Sequence, residues 1–344
     1  MNGLGFLEHG GLDRVRLVDI PEPVPGPGEI RVRVKAASFN HLDLFTLSGI
    51  PGVEIARPHV LGSDGAGIVD RRGEGAEGPE EGSRVLLNPG LWDGTCEDCR
   101  RGQESMCRKY RILGEHTQGT ATELVVVPAR NVHAIPSSMT FEEAAAAPLV
   151  FQTAWRALAT IGRLTEGETC AIVGAGGGVA TAAVQIAKRL GARVVVATRS
   201  GEKGERARKL GADEVVLFGP DAPLDRLLWA WSGKRGIDVI LDSVGQPTVA
   251  RSIQAIARGG RVVVIGATAG PKVEIDLRTV FWRQASLRGS TMAGQAEFRA
   301  VLAELERGAV RPVIDSTYPI DRGAEAIARL TASDLFGKVV VTVP

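Results

Sequence analysis

Three of the chain's four cysteines fall in one short stretch, DGTCEDCRRGQESMC, running from Asp93 to Cys107. Cys96 and Cys99 form a C-x-x-C pair, and Cys107 follows eight residues later. A structural zinc takes four ligands in a tetrahedron, and three thiols leave one place open. In a reducing compartment such a cluster reads as metal or redox chemistry before disulfide. The fourth cysteine, Cys170, lies in an apolar run and reads as buried core.

A second stretch able to do chemistry is ETCAIVGAGGGVATAAVQIAKRLGARVVVATRS. Gly174, Gly176, Gly177 and Gly178 separate an apolar strand from an amphipathic helix. Such a turn lets the backbone approach a pyrophosphate, and the helix N-terminus offers free N–H groups and the positive end of its dipole. The dinucleotide fingerprint then asks for an acid about 20 residues on, to hold the ribose 2′-hydroxyl. Here that place reads Thr198, Arg199, Ser200. A base without an acid suits a 2′-phosphate, so NADP(H) is expected and NADH fits less well. Gly266, closing the strand-like RVVVIG, is placed with the cofactor-binding residues.

The elements that must hold these residues follow from periodicity. PEPVPGPGEIRVRVKAAS opens with prolines and then alternates at Ile30, Val32 and Val34, as a half-buried strand does. No helix-length pattern precedes TFEEAAAAPLV. The helix after the glycine turn has Val179, Ala183, Ile186 and Leu190 on one face, with Gly191 placed to end it. Apolar strands recur at DEVVLF, IDVILDSVG and RVVVIGAT with helical segments between, which argues a parallel, doubly wound sheet. The chain ends in a strand-like GKVVVTV. The expected plan is α/β, a Rossmann domain over 142–290 inserted into a β-rich domain of 1–141 and 291–344, with the cysteine lobe at about 90–110.

With 41 Lys and Arg against 40 Asp and Glu, there is no electrostatic case for nucleic acid or an anionic membrane. No apolar run reaches membrane-spanning length. MNGLGFLEHGG lacks the regions of a signal peptide, so a cytoplasmic location is expected.

The order of GSDGAGIV, the cysteine lobe, EEAAAAPLVFQTAWRAL, GAGGGVA and FGKVVV resembles the medium-chain dehydrogenase/reductase superfamily across essentially the whole chain. NPGL, YRILGEH and FWRQASLRGSTM resemble its zinc-containing alcohol dehydrogenase and quinone oxidoreductase-like branch. The resemblance implies a GroES-like domain around the Rossmann domain, an active site in the cleft between them, and a homodimer or homotetramer. It implies that Asp93 takes the first place of a structural zinc site completed by Cys96, Cys99 and Cys107. Asp98 and Glu104 are alternative oxygen donors, and a metal-free lobe and a redox pair are rival readings. His41, Thr153 and Lys338 match positions that contact the cofactor, Lys338 on its 2′-phosphate side; a solvated lysine accounts for Lys338 equally well.

The catalytic zinc of the metal-dependent members has no matching ligands. Asn40 and Ser63 stand at the cysteine and histidine positions, and PLVFQTAW has no ligand at the third. Asp64 keeps the acid of the histidine motif, Asp43 matches a supporting acid, and Leu42 replaces a proton-relaying hydroxyl. The expected activity is NADPH-dependent hydride transfer to a quinone or activated enone. Asn40 is the first candidate donor to the developing oxyanion and Ser63 the second, against the plainer reading that Asn40 caps a turn. Two alternatives stand beside it: an alcohol dehydrogenase using ligands such as Asp64, His59 or His116, and a cofactor-binding protein without activity. His116 is read either as lining the cleft or as an ordinary hydrogen-bonding group.

Overall fold

The computed structural model describes residues 1–344 as two compact units, Met1–Val150 with Ala293–Pro344, and Phe151–Met292. The first unit is built on β1 (Glu29–Phe39), which lies antiparallel to β2 (Asp64–Arg72) on one side and to β3 (Leu124–Pro128) along its first half. Ile30, Val32 and Val34 are fully buried, as their alternation predicts. A helix the periodicity does not reveal, α1 (His41–Ser48), follows β1 directly. Its apolar positions form no stripe; its start is fixed instead by Asp43, whose Oδ2 accepts the Asn40 N–H at 2.7 Å. The cysteine stretch is a loop closed at its base by a two-stranded ladder of Gly90–Leu91 against Arg111–Ile112.

Two short helices, α2 (Phe141–Ala146) and α3 (Pro148–Trp155), lead to the second unit. The crossover falls within α3, later than the expected boundary at 142. α2 stays with the first unit because it binds there: Ser38 Oγ donates to the Ala145 carbonyl at 2.8 Å. Leu149 N–H, just beyond, donates to Asp64 Oδ1 at 2.7 Å.

The second unit is a six-stranded sheet, parallel throughout. Its strands are β4 (Thr169–Val173), β5 (Arg193–Thr198), β6 (Glu214–Leu217), β7 (Ile237–Asp242), β8 (Ile256–Val264) and β9 (Ser286–Gly289). They lie in the order β6-β5-β4-β7-β8-β9. This is the doubly wound dinucleotide order, in which the direction of strand addition reverses between β4 and β7 and a crevice opens at their C-terminal ends. Helix α4 (Gly178–Arg189) follows β4 and stops before Gly191, whose φ of +79° suits glycine. Cys170 is fully buried in β4, as expected.

The chain then returns to the first unit through α5 (Gln295–Glu306), β10 (Ile314–Pro319) and β11 (Lys338–Thr342). β11 lies antiparallel to the end of β1, with Val339 opposite Phe39. That register puts Lys338 one step beyond Phe39, next to Asn40. No helix is long and apolar enough to cross a membrane.

Candidate functional site

Asn40 sits where β1 gives way to α1. Its backbone is held by Asp43, so its side chain is free for other work and does not cap the helix. Asn40 Nδ2 donates to Asp64 Oδ2 at 2.9 Å, and Asn40 Oδ1 accepts from Lys338 Nζ at 2.5 Å. Lys338 Nζ also lies 2.9 Å from Asp64 Oδ2. Asp64 is fully buried and Lys338 is 2% exposed. The result is a closed triangle of amide, carboxylate and ammonium. One hydrogen of the Asn40 amide is bound by Asp64; the other has no partner in the protein.

Lys338 therefore departs from both expectations for it. It is neither a solvated lysine nor one reaching toward a 2′-phosphate, because β11 carries it into the interior of the first unit. There a buried ammonium persists only beside a carboxylate. A lysine inside an apolar FGKVVV run is the sequence signal of such a pair, although the run does not say which acid it meets.

Ser63 is fully buried, and its hydroxyl has no hydrogen-bond partner. It follows Gly62, whose N–H donates to Asp43 Oδ1 at 2.7 Å and whose φ of +91° suits glycine. Burial pushes the Asp43 carboxyl up to about 6, although the Asn40 and Gly62 N–H groups and the Lys338 charge pull it back.

These residues do not fit a catalytic zinc. An amide, a hydroxyl and the apolar Leu149 neighbourhood supply no thiolate or imidazole, and both carboxylates are engaged, Asp64 by an ammonium and Asp43 by the Asn40 and Gly62 N–H groups. The alternative ligands are not brought together either. His59 Nε2 donates to the Gly114 carbonyl at 3.0 Å, and His116 Nδ1 accepts the Ile112 N–H at 3.3 Å.

The lobe is different. The ligand atoms of Asp93, Cys96, Cys99 and Cys107 all lie within 4.8 Å of one another, and no other group of three or more His, Cys, Asp or Glu does so. Cys99 Sγ is 3.4 Å from both Cys96 Sγ and Asp93 Oδ1. Four ligands around one tetrahedral zinc stand roughly 3.5–3.8 Å apart, so the set fits the ion without rebuilding the loop. Asp93 Oδ1 also accepts the N–H groups of Thr95 and Cys96, at 2.9 and 3.0 Å, which orients the carboxylate. Those bonds hold its pKa well below the usual range. Asp98 and Glu104 are not in the cluster; Glu104 Oε2 instead accepts the Gln295 N–H at 3.3 Å.

In the second unit Gly174 ends β4 with φ +94°, a conformation that favours glycine, and Gly177 precedes the first turn of α4. A side chain would have open space at Gly177, so a ligand's backbone-facing surface has room there. Arg199 is exposed at the end of β5. The Thr198 and Ser200 hydroxyls accept backbone N–H groups, Ser200's at 3.2 Å and Lys203's at 3.3 Å, so both have local work. At Gly266 a Cβ would approach the Ser243 carbonyl to 3.3 Å. Thr153 is 7% exposed, with its hydroxyl 4.0 Å from Met292 Sδ. His41 is an exposed residue of the first turn of α1. Two groups escaped the sequence reading. Glu115 is a largely buried acid that nothing in GEHTQGT distinguishes from a surface one. Gln152 is fully buried with both amide atoms unpartnered.

A family model described as zinc-binding dehydrogenase matches residues 178–307, and one described as alcohol dehydrogenase GroES-like domain matches residues 26–137. The chain is similar to the acryloyl-coenzyme A reductase of Metallosphaera sedula, 31% identical over 94% of this chain and 95% of that one. It is similar to the quinone oxidoreductase of Lama guanicoe, 30% identical over 99% of this chain and 97% of the relative. Among solved structures it is similar to the crystal structure of an NAD-dependent alcohol dehydrogenase, 40% identical with a TM-score of 0.96 over all of both chains.

Proposed function

The chain belongs to the medium-chain dehydrogenase/reductase superfamily and is an oxidoreductase of that family, and on this premise we propose that it reduces a quinone or an activated enone with NADPH and without a catalytic zinc. The observation that carries the reading is the Asn40–Asp64–Lys338 triangle, built around Asn40, which the resemblance aligns with a zinc-ligand position of the metal-dependent members. When bound, the nicotinamide supplies a hydride. An acceptor with a conjugated carbonyl is already electrophilic, so the protein has only to orient it and stabilise charge on its oxygen. The unpartnered Asn40 hydrogen can do this, with its amide polarised by the Lys338 ammonium on the carbonyl side. The Ser63 hydroxyl is a second donor without another partner. Alcohol oxidation would also need a base or metal to take the hydroxyl proton, and Leu42 supplies no relay.

The test is a pair of assays. NADPH-dependent reduction of small quinones or enones is expected to proceed unchanged in chelator on the assay timescale, with negligible oxidation of simple alcohols. Robust alcohol oxidation abolished by chelators would overturn the reading. NADPH is expected to bind better than NADH by about 1.5–3 kcal/mol through Arg199, and Arg199→Asp is expected to erase or reverse that preference. Equal affinities in the parent protein would remove Arg199 from the cofactor site.

The reading includes one structural zinc per chain at Asp93, Cys96, Cys99 and Cys107. Its removal should lower thermal stability more than intrinsic turnover, because the lobe is a closed loop with no part in hydride transfer. Elemental analysis of protein made in zinc-replete medium decides it, and full zinc retention by Asp93→Ala would exclude that carboxylate from the ligand set. The reading also includes self-association. The edge strand β9 and the helix before it, α6 (Leu277–Arg283), expose Leu277, Phe281, Trp282 and Leu287, which suits burial against a second copy.

A further inference from the structure

We propose that Glu115 is the proton donor of the reaction, delivering its carboxyl proton to the α-carbon of an α,β-unsaturated carbonyl substrate. The inference rests on the reading above and narrows it, since an acid held for carbon protonation serves an enone more than a quinone.

The geometry is that of two stacked turns. Gly114, the residue before Glu115, packs directly on Gly62, the residue before Ser63; a Cβ on Gly114 would lie 2.5 Å from the Gly62 carbonyl oxygen. Gly62 is in turn bound to Asp43, and Asp43 to the backbone of Asn40. His59 holds the Glu115 turn from the other side through the Gly114 carbonyl. The turn that carries Glu115 is thereby fastened to the segment that carries Ser63 and the Asn40 triangle.

The Glu115 side chain is 12% exposed, and its carboxyl makes no hydrogen bond within the protein. A carboxyl this little exposed that bonds no protein group is left to solvent or to a ligand. The charges around it do not supply a partner. His116 Nδ1 is 3.6 Å away, but that nitrogen accepts the Ile112 N–H and carries no proton to share. Burial and the Arg111 charge hold His116 below its ordinary value, and burial does the same for His59, so both rings are neutral at pH 7. The remaining charged neighbour, Asp43, is an acid. Burial first, and Asp43 second, push Glu115 up to about 7. An acid so poised, on a turn packed against the segment that carries Ser63, is suited to give a proton.

The step balances with the reduced nicotinamide as its only co-reactant. The β-carbon of the substrate receives the hydride, and the carbon–carbon π pair shifts to form an enolate, whose oxygen Asn40 stabilises. The α-carbon then takes the Glu115 proton, a C–H bond forms, and the O–H bond electrons remain on Glu115 as a carboxylate. Solvent returns the proton. The sum is one cofactor oxidised, one proton consumed and one carbon–carbon double bond reduced.

The experiment compares the parent enzyme with Glu115→Gln, which keeps the shape and removes the proton, and Glu115→Asp. With a small enone, Glu115→Gln is expected to lower kcat about 10²–10⁴-fold with the NADPH dissociation constant unchanged, and Glu115→Asp to recover part of it. The parent kcat should fall as pH rises above about 7, because only the protonated acid works, and this fall should vanish in Glu115→Gln. Quinone reduction, whose protons go to freely exchanging oxygens, should lose far less than enone reduction. A purely structural role would not separate the two acceptors. Melting temperatures report on folding: charging a buried acid costs stability as pH rises from 4.5 to about 7, so Glu115→Gln should match the parent at pH 4 and exceed it at pH 8. Equal melting temperatures at both pH values would count against the buried carboxyl itself. A folded Glu115→Gln with parental kcat and pH profile on enones overturns the assignment. A parent enzyme inactive on every enone and quinone sinks instead the reaction it rests on.

Discussion

Lys338→Met is expected to destabilise the first unit by about 3–5 kcal/mol. The substitution keeps most of the volume of the lysine stem but removes the only cation within bonding distance of Asp64. Asp64 would keep the Leu149 and Asn40 N–H groups, at 2.7 and 2.9 Å, and the Ser38 hydroxyl at 3.4 Å, yet neutral donors do not replace the counter-charge of a fully buried carboxylate. Lys338→Met with Asp64→Asn removes both charges, and should regain most of the loss. Denaturant unfolding of the parent, both single variants and the double variant measures the coupling directly. Additive losses, or a Lys338→Met variant as stable as the parent at pH 8, would show that the ammonium and carboxylate do not depend on each other. The zinc proposed for the lobe should remain in all four proteins, since none of its proposed ligands is altered.

Asn40→Ala is expected to lower kcat for quinone or enone reduction by about 2.7–4 kcal/mol, a few hundredfold, while NADPH affinity changes little. Asn40 is the one member of the triangle with a hydrogen to spare. Its carbonyl oxygen takes the Lys338 proton at 2.5 Å, and one amide hydrogen goes to Asp64. Deleting the side chain leaves the Lys338–Asp64 pair intact, so the fold should survive the change. This separates Asn40→Ala from Lys338→Met: the first reads out in turnover, the second in stability. Steady-state kinetics with cofactor binding measured separately decides it, and an unchanged kcat would leave the reaction class standing and remove Asn40 from it.

Some of this was legible in the residues alone. The alternation at Ile30, Val32 and Val34, the glycine turn before an amphipathic helix, and the repeated apolar strands each carry their structure within a window of a few residues. They led to the inserted doubly wound domain. The helix α1 was missed because its start rests on one acid three positions from its cap rather than on an apolar stripe. The alanine run looks like the start of a new unit, but it is bound back to Ser38, so the first unit extends to Val150.

The residue types also carry the case against a catalytic zinc in the proposed reaction. Asn40 and Ser63 cannot bind zinc as a thiolate and an imidazole do, whatever surrounds them, and the spacing of Asp93, Cys96, Cys99 and Cys107 permits a compact metal site because all four lie in one short loop. What only the tertiary structure decided is who partners whom over long separations. Lys338 and Asn40 are 298 positions apart, and Lys338 and Asp64 are 274 apart. Their meeting depends on β11 returning to pair with the end of β1 after the whole second unit has been threaded between them. Burial decided the rest: the same Glu115 that would be an ordinary carboxylate on a surface turn becomes an acid near pH 7 once Gly114 is pressed onto Gly62 and Asp43 stands beside it. Charge, desolvation and hydrogen bonding act through space, and a linear pattern holds only the part of them that falls between near neighbours in the chain.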